Sequence, residues 1–376
     1  MNISLDDIGL LVVKVGTTLV SSSTSADFLD RGKMGPIVED ISDFRKRGIK
    51  VILVSSGAIG AGMAVLGLKV RPKVLPRKQA AAAIGQSKLM HFYKELFNQH
   101  GMRVAQILLT KDDLDERAKY LNARNTLSTL LEYDNIVPVI NENDTVAVDE
   151  IKFGDNDMLA AVVASKMQAD LLVILSNVDG LYDCDPRKSG ASKLIEDVKD
   201  ISDDLKTMCG GASAETSVGG MTAKLEAARI ATLSGIGVVL ANGMQKHILK
   251  NLFGDACKCT YFHPRQEAIQ GRKRWIAFVS APHGKIKVDA GARRALLENG
   301  SSLLPSGVIG VTGKFYRGDT ISIVDEKNKE IARGLSNYSA AEVGKIKGFH
   351  TSKISELLGQ KDYDEVVHRD NLVVLA

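Results

Sequence analysis

Six short apolar runs recur along the first two-thirds of the chain: LLVVKVG at 10–16, KVILVSSG at 50–57, RVAQILLT at 103–110, IVPVIN at 136–141, DLLVILSN at 170–177 and GVVLANG at 237–243. Between them, apolar residues return at helical spacing over 35–47, 78–100, 118–133, 157–166 and 221–234. Runs with little polar alternation predict strands buried on both faces, and strands that alternate with helices predict parallel pairing through crossovers. Residues 1–262 are therefore expected to form one α/β domain, an open, mostly parallel sheet sandwiched by helices.

The pattern then breaks. The stretch HPRQEAIQGRKRW, residues 263–275, is polar and basic, lacks a hydrophobic period and ends at Trp275, the single tryptophan of the chain. Residues 263–283 read as a linker. From 284 to 376 the runs become short and β-like, with Gly and Pro at short intervals, which predicts a small, closed, antiparallel β-barrel. No internal repeat or low-complexity tract is present.

Composition changes this picture little. Of 376 residues, 44% are hydrophobic and 25% charged, which is ordinary for a globular chain with a large core. A formal charge of +4 is small for this length and gives no general electrostatic case for nucleic acid or an anionic membrane as main partner. The four cysteines, Cys184, Cys209, Cys257 and Cys259, lack paired zinc-ligand spacing. The first residues carry Asp6 and Asp7 before a short apolar run, without a basic leader or a membrane-spanning stretch, so a cytoplasmic location is expected.

The chemistry concentrates at strand ends. VPVINENDTVAVDEIKFGDNDMLAA, residues 137–161, places Asn141, Asn143, Asp144, Asp155, Asn156 and Asp157 around one apolar strand end. Such a group suits a small zwitterion, or organises a metal and a lysine, because Asn both donates and accepts while Asp accepts. Two successive Asn/Asp turns have the same composition, and the block alone leaves both readings open. Lys14 lies in LLVVKVGTT just before Gly16. A lysine in a buried strand is costly unless paired, and the carboxyl end of such a strand is where open α/β sheets bind ligands. A snorkelling edge lysine fits the same residue.

VSSGAIGAG at 54–62 leads a strand through two serines and a glycine into a helix, a start whose free N–H groups favour a carboxylate or phosphate, although Ser-Ser is also a good helix cap. ETSVGGMTAKLEAA at 215–228 places paired glycines before a helix with Lys224 one turn in. It is not a Walker A motif, and no G-x-G-x-x-G occurs. Two lysines on glycine loops and one aspartate cluster together describe phosphoryl transfer without a covalent nucleophile, in which the protein supplies positioning and charge. No Ser/His/Asp or Cys/His arrangement competes, and the seven histidines are scattered.

At this point VVKVGTT, VSSGAIGAG, NARNTL, the aspartate-rich block, GLYDCDPR and GGMTAK, in that order, resemble the amino acid kinase family, and within it the members that phosphorylate glutamate. The tail resembles the PUA domain. The resemblance spans nearly the whole chain. It implies ATP-dependent phosphorylation of the L-glutamate γ-carboxylate with Mg2+ as cofactor, the first step of proline synthesis. Carried onto matching positions, it makes Lys14 and Lys224 the groups that stabilise the transferring phosphoryl, with Asp157 orienting both. It assigns glutamate to Ser56, Asp144 and Asn156, with Asn141 and Asp155 close by. It assigns ATP to Lys14, Ser176, Asn177, Val218, Gly219, Gly220, Met221 and Lys224. It also implies feedback inhibition by proline, a homo-oligomer, and passage of the product to glutamate-5-semialdehyde dehydrogenase.

Two departures from the family pattern fall on the nucleotide side. Ser176-Asn177 stands where Thr-Asp or Ser-Asp is common, and Ser217-Val218-Gly219-Gly220-Met221 stands where Gly-Thr-Gly-Gly-Met is common. Two alternatives remain: an RNA-binding or RNA-modifying protein acting through the tail, and a kinase for another acid such as aspartate or N-acetylglutamate. The tail from 284 to 376 holds 14 Lys+Arg against 12 Asp+Glu, a charge of +2. That is weak support for RNA, whose binding is driven by phosphate neutralisation.

Overall fold

Strand β1 (Leu10–Val15) is buried along its whole length because it has a parallel neighbour on each edge, β2 (Lys50–Val54) and β5 (Leu171–Ser176). In this computed structural model, which describes residues 4–22, 28–147, 156–184, 192–202, 205, 220–254, 257–265 and 282–375, the first strand is thus the middle of a wide sheet. β4 (Ile136–Glu142) and β3 (Arg103–Leu109) extend it beyond β2, and β9 (Gly237–Asn242) extends it beyond β5, all in parallel. Each of the six expected strands is present. The sheet has eight strands in the order β3-β4-β2-β1-β5-β9-β10-β8. β10 (Cys259–Phe262) runs antiparallel to β9, and β8 (Asp197–Val198) runs parallel to β10. This reversed edge was not expected, since strands so short leave no readable period. β6 (Leu181–Tyr182) and β7 (Leu194–Ile195) form a separate small ribbon.

The pleat divides β1 between two faces. Leu11, Val13 and Val15 join Ile37, Ile41 and Phe44 of α2 (Arg31–Lys46) and Leu89, Tyr93 and Phe97 of α4 (Leu75–Asn98) in one core. Val12 and Lys14 point the other way, toward the face on which α7 (Asn156–Met167) packs. α7 is buried almost all round, from Asp157 to Lys166, because α8 (Met221–Leu233) covers it from outside. Among the described residues, the remaining helices of this unit are α1 (Thr17–Val20), α3 (Ala58–Val65), α5 (Lys111–Asp115), α6 (Arg117–Glu132) and α9 (Ile248–Asn251).

α2 starts earlier than the sequence pattern indicates. Asp30 caps it by accepting from the Lys33 N–H at 3.1 Å, which places Pro36 inside the helix rather than at its start. α3 and α4 touch backbone to backbone. A Cβ on Gly62 would lie 1.7 Å from the Ala81 carbonyl, and one on Gly85 would lie 1.8 Å from that of Ala58. Only glycine at both positions permits this approach.

The chain divides into two compact units, Met1–Ala268 and Ile269–Ala376. The second holds a five-stranded sheet in the order β12-β11-β13-β14-β15, made of β11 (Gly284–Val288), β12 (Val308–Gly313), β13 (Thr320–Val324), β14 (Glu330–Leu335) and β15 (Leu372–Val374). Its pairs are antiparallel except β11 with β13, because β12 lies on the far side of β11 and the chain crosses back over it. Its own core includes Ile286, Val308, Ile321, Ile331 and Val343, and among the described residues three helices accompany the sheet: α10 (Ala290–Asn299), α11 (Ala340–Ile346) and α12 (Ile354–Leu358). Most of the expected linker lies outside the described residues. Among the described residues no helix is long and apolar enough to cross a membrane.

Candidate active site

Strand register brings the candidate residues to one edge. Lys14 lies opposite Val54 and Ile174, Val54 opposite Ile140, and Ile174 opposite Leu240. The residues that follow, Gly16, Ser55-Ser56-Gly57, Asn141, Ser176-Asn177 and Asn242-Gly243, therefore all leave the sheet at its carboxyl end, where open α/β sheets bind ligands.

Asp157, in the first turn of α7, lies across from Lys14 on the same face of the sheet. Its Oδ1 is 2.5 Å from Lys14 Nζ and its Oδ2 is 2.9 Å from Lys224 Nζ, with Asp157 fully buried. Burial alone would push the Asp157 carboxyl up, but the Lys14 and Lys224 ammonium groups outweigh it and hold the group below the usual carboxylate range. One carboxylate thus fixes two cations on separate elements, and the snorkelling alternative for Lys14 is excluded by its 3% exposure. Lys224 stands one turn into α8, whose N-cap is Gly220, followed by Met221. Two fixed ammonium groups side by side suit a group that carries several negative charges.

A second cluster adjoins the first through the neighbouring Asn156. Its Nδ2 lies 2.6 Å from the Ser55 carbonyl, 3.0 Å from Ser56 Oγ and 2.9 Å from Asn141 Oδ1. Asn141 in turn donates from Nδ2 to Gln86 Oε1 at 2.9 Å and accepts the Glu142 N–H at 2.9 Å. Ser55 Oγ shares a hydrogen bond of 2.7 Å with the Tyr93 hydroxyl, and burial pushes that phenol upward. These side chains come from the turn after β2 and from β4, α4 and α7, so the amides are held from four directions. Asp144 is half-buried in the turn after β4. Asp155 lies outside the described residues. Gln86 and Tyr93 were not singled out from the sequence, because each sits on the apolar stripe of a long helix and resembles core.

On the other side of Lys14, Ser176 is buried and Asn177 exposed, and the Gly243 N–H donates to the Ser176 carbonyl at 2.9 Å. Asp179 joins the loops after β5 and β9, accepting from Asn242 Nδ2 at 2.9 Å and from the Tyr182 hydroxyl at 3.2 Å. This clasp was not anticipated either. Val218 and Gly219 lie outside the described residues. Among the described residues no three His, Cys, Asp or Glu side chains converge as a metal site. Both oxygens of Asp157 already face lysines.

The profile of the amino acid kinase family matches residues 9–242, and that of the PUA domain matches residues 284–358. Glutamate 5-kinase from Moorella thermoacetica is 49% identical over 366 residues, covering 97% of this chain and 96% of that one. Glutamate 5-kinase from Syntrophotalea carbinolica is 48% identical, covering 98% of each chain, and that from Geobacter sulfurreducens is 46% identical, covering 99% of each. A solved UMP kinase from Ureaplasma parvum superposes with a TM-score of 0.48 at 16% identity, covering 68% of this chain and 99% of that one.

Proposed function

The chain belongs to the amino acid kinase family, and we propose that it transfers the γ-phosphoryl group of ATP to the γ-carboxylate of L-glutamate, giving γ-glutamyl phosphate and ADP, the first step of proline biosynthesis. The observation that carries this reading is the Lys14–Asp157–Lys224 arrangement next to the amide cluster around Asn156. An oxygen of the glutamate γ-carboxylate attacks the γ-phosphorus while the bond from phosphorus to the β,γ-bridging oxygen breaks, and ADP leaves with that electron pair. Charge spreads over the equatorial oxygens and the leaving oxygen, and two cations already in place meet it without reorganising.

Asp157 orients both lysines and touches neither substrate. Ser56, Asp144 and Asn156 hold glutamate, with Asn141 and Asp155 near them. Asp144 takes the α-ammonium, since a carboxylate pairs best with a cation. Lys14, Lys224, Ser176, Asn177 and the loop 218–221 receive ATP. Mg2+ comes with the nucleotide, as an ion that keeps waters and is held chiefly by substrate phosphates. When bound it would neutralise phosphate charge.

The domain division follows as kinase domain 1–262, linker 263–283 and PUA domain 284–376. A cytoplasmic location, proline as feedback inhibitor, a homo-oligomer, and delivery of the labile acyl phosphate to glutamate-5-semialdehyde dehydrogenase complete the reading, supported by the family resemblance. The near-neutral charge of the PUA unit weighs against RNA as main partner.

The test is ADP release with ATP and Mg2+ in the presence of hydroxylamine, comparing L-glutamate, L-aspartate and N-acetyl-L-glutamate. Glutamate-dependent hydroxamate is expected. Turnover with either competitor in its place would redirect the substrate assignment.

A further inference from the structure

Resting on the glutamate reading above, we propose that Gln86 of α4 is a positioning residue that holds the substrate-side amides in the orientation that suits an amino acid whose α-amine is free. A primary amide has a donor end and an acceptor end, and a half-turn exchanges them. In this site the Ser55 carbonyl, which only accepts, and the Glu142 N–H, which only donates, fix the two ends, and Gln86 holds the Asn141 donor that they leave turned toward α4. Gln86 Oε1 accepts from Asn141 Nδ2 at 2.9 Å, with Asn141 Oδ1 facing Asn156 Nδ2 at 2.9 Å. Asn156 Nδ2 is then committed to the β2 end, where the Ser55 carbonyl and Ser56 Oγ also accept. The end of Asn156 left to meet a substrate is its carbonyl oxygen, an acceptor.

An α-ammonium brings three donors to such a pocket. An acetylated amine brings one N–H and a carbonyl that needs a donor instead. The orientation of two asparagines therefore discriminates between these classes of acid, and Gln86 supports that orientation from outside the pocket.

The placement of Gln86 is built into the helix pair. It is 9% exposed and Asn141 is 2% exposed, so water is a poor substitute for the glutamine oxygen. Gln86 follows Gly85, whose missing Cβ lets α4 press against α3. Two turns earlier on the same face of α4, Gln79 Nε2 donates to the Ala147 carbonyl at 3.3 Å. α4 thus braces the segment after β4 at both ends, at Asn141 and at Ala147, with Asp144 between them. The Glu142 N–H, which donates to Asn141 Oδ1, favours the same orientation but offers nothing to Asn141 Nδ2.

The test compares Gln86→Met, which keeps length and loses the acceptor, with Gln86→Glu, which keeps an acceptor at the same place. Removing the partner of a buried donor is expected to raise the glutamate KM about tenfold in Gln86→Met, with the ATP KM within about twofold of wild type. Gln86→Glu should stay within about threefold of wild type for glutamate, since a carboxylate still accepts from Asn141. Inhibition by N-acetyl-L-glutamate should tighten in Gln86→Met as the amides lose their fixed orientation. The rise in Tm caused by glutamate, read on the same proteins, should shrink in Gln86→Met while that caused by a non-hydrolysable ATP analogue persists. The proposal fails if Gln86→Met keeps the wild-type glutamate KM, if both KM values rise together, or if Gln86→Glu is as impaired as Gln86→Met. Absence of glutamate hydroxamate from the wild-type protein in the same assay would instead count against the kinase reading itself.

Discussion

Replacing Asp157 with Asn is the sharpest perturbation of this site, because it removes one negative charge from between two cations and leaves the shape of the side chain. The lysine nitrogens lie 2.5 and 2.9 Å from its two oxygens, in a place that Asp157 shares with no solvent. At an effective dielectric of about 20, each pair amounts to roughly 6 kcal/mol of gross attraction, most of which offsets the cost of desolvating the charges. Without the carboxylate, the two ammonium groups repel one another and lose the group that aims them. Misplacing preorganised charges of this kind costs on the order of 3–4 kcal/mol in the transition state, or about 10²–10³ in kcat.

ATP binding should not weaken in Asp157→Asn, since the two lysines, with one negative charge removed from between them, still attract a triphosphate. The assay is steady-state hydroxamate formation, with thermal melts to establish that the variant folds. The expected pattern is a kcat lower by about two to three decades, with the ATP KM equal to or below that of wild type. A folded variant with less than a tenfold loss in kcat, or a loss confined to the glutamate KM, would refute the assigned role of Asp157. The pH dependence follows with its sign. The folded Asp157 carboxyl sits below its ordinary 3.8, so the stabilisation is fully present above about pH 4 and lost as pH falls through the lowered value. The stability gap between wild type and Asp157→Asn should therefore stay constant from neutral pH to about 5 and close on further acidification.

Lys14→Ala and Lys224→Ala should lower kcat far more than they change the glutamate KM, whereas Asp144→Ala should chiefly raise that KM; identical kinetic patterns in the two classes would undo the division of roles. Gly85→Ala would place a Cβ 1.8 Å from the Ala58 carbonyl and force α3 from α4, so a stability loss of about 1–3 kcal/mol or more is expected in urea melts, with a raised glutamate KM through the displaced Gln86. Asp40 is fully buried on α2, and burial pushes its carboxyl above 3.8 despite a hydrogen bond of 2.9 Å to His247 and the nearby Lys250. A raised folded value means that ionised Asp40 costs stability at neutral pH, so Asp40→Asn, which keeps an acceptor for His247, should be neutral or stabilising by up to about 1 kcal/mol at pH 7. That gain should fade below pH 4, and a large destabilisation at pH 7 would show that the ion pairs dominate.

The parallel sheet was legible because β1, β2, β4, β5 and β9 are central strands, buried on both faces, and such strands advertise themselves as unbroken apolar runs. The edge formed by β10 and β8 was not, since four and two residues carry no period and their pairing is set by tertiary position. In the second unit, the parallel β11–β13 pair depends on which side of β11 accepts β12, and local turns do not encode that choice. Of the site, Lys14, Lys224 and Asp157 could be found because charge inside apolar or glycine-rich sequence needs a reason. The convergence of both lysines on one carboxylate was implied by the family resemblance and not by the residues themselves, because it joins a strand and two helices distant in the chain. Gln86 was hidden because a glutamine within QAAAAIGQSKLM looks like an ordinary helix residue until Asn141 is seen beside it.

The most direct test of carboxylate phosphorylation is to follow oxygen. L-Glutamate labelled with 18O in both γ-carboxylate oxygens is turned over with unlabelled ATP in the presence of hydroxylamine, and the released phosphate is analysed by mass spectrometry. Attack by the carboxylate on phosphorus, followed by hydroxylamine cleavage of the acyl phosphate at carbon, predicts one 18O in each phosphate formed along with hydroxamate. Phosphate without label would mean that water, and not the glutamate carboxylate, accepts the phosphoryl group at this site.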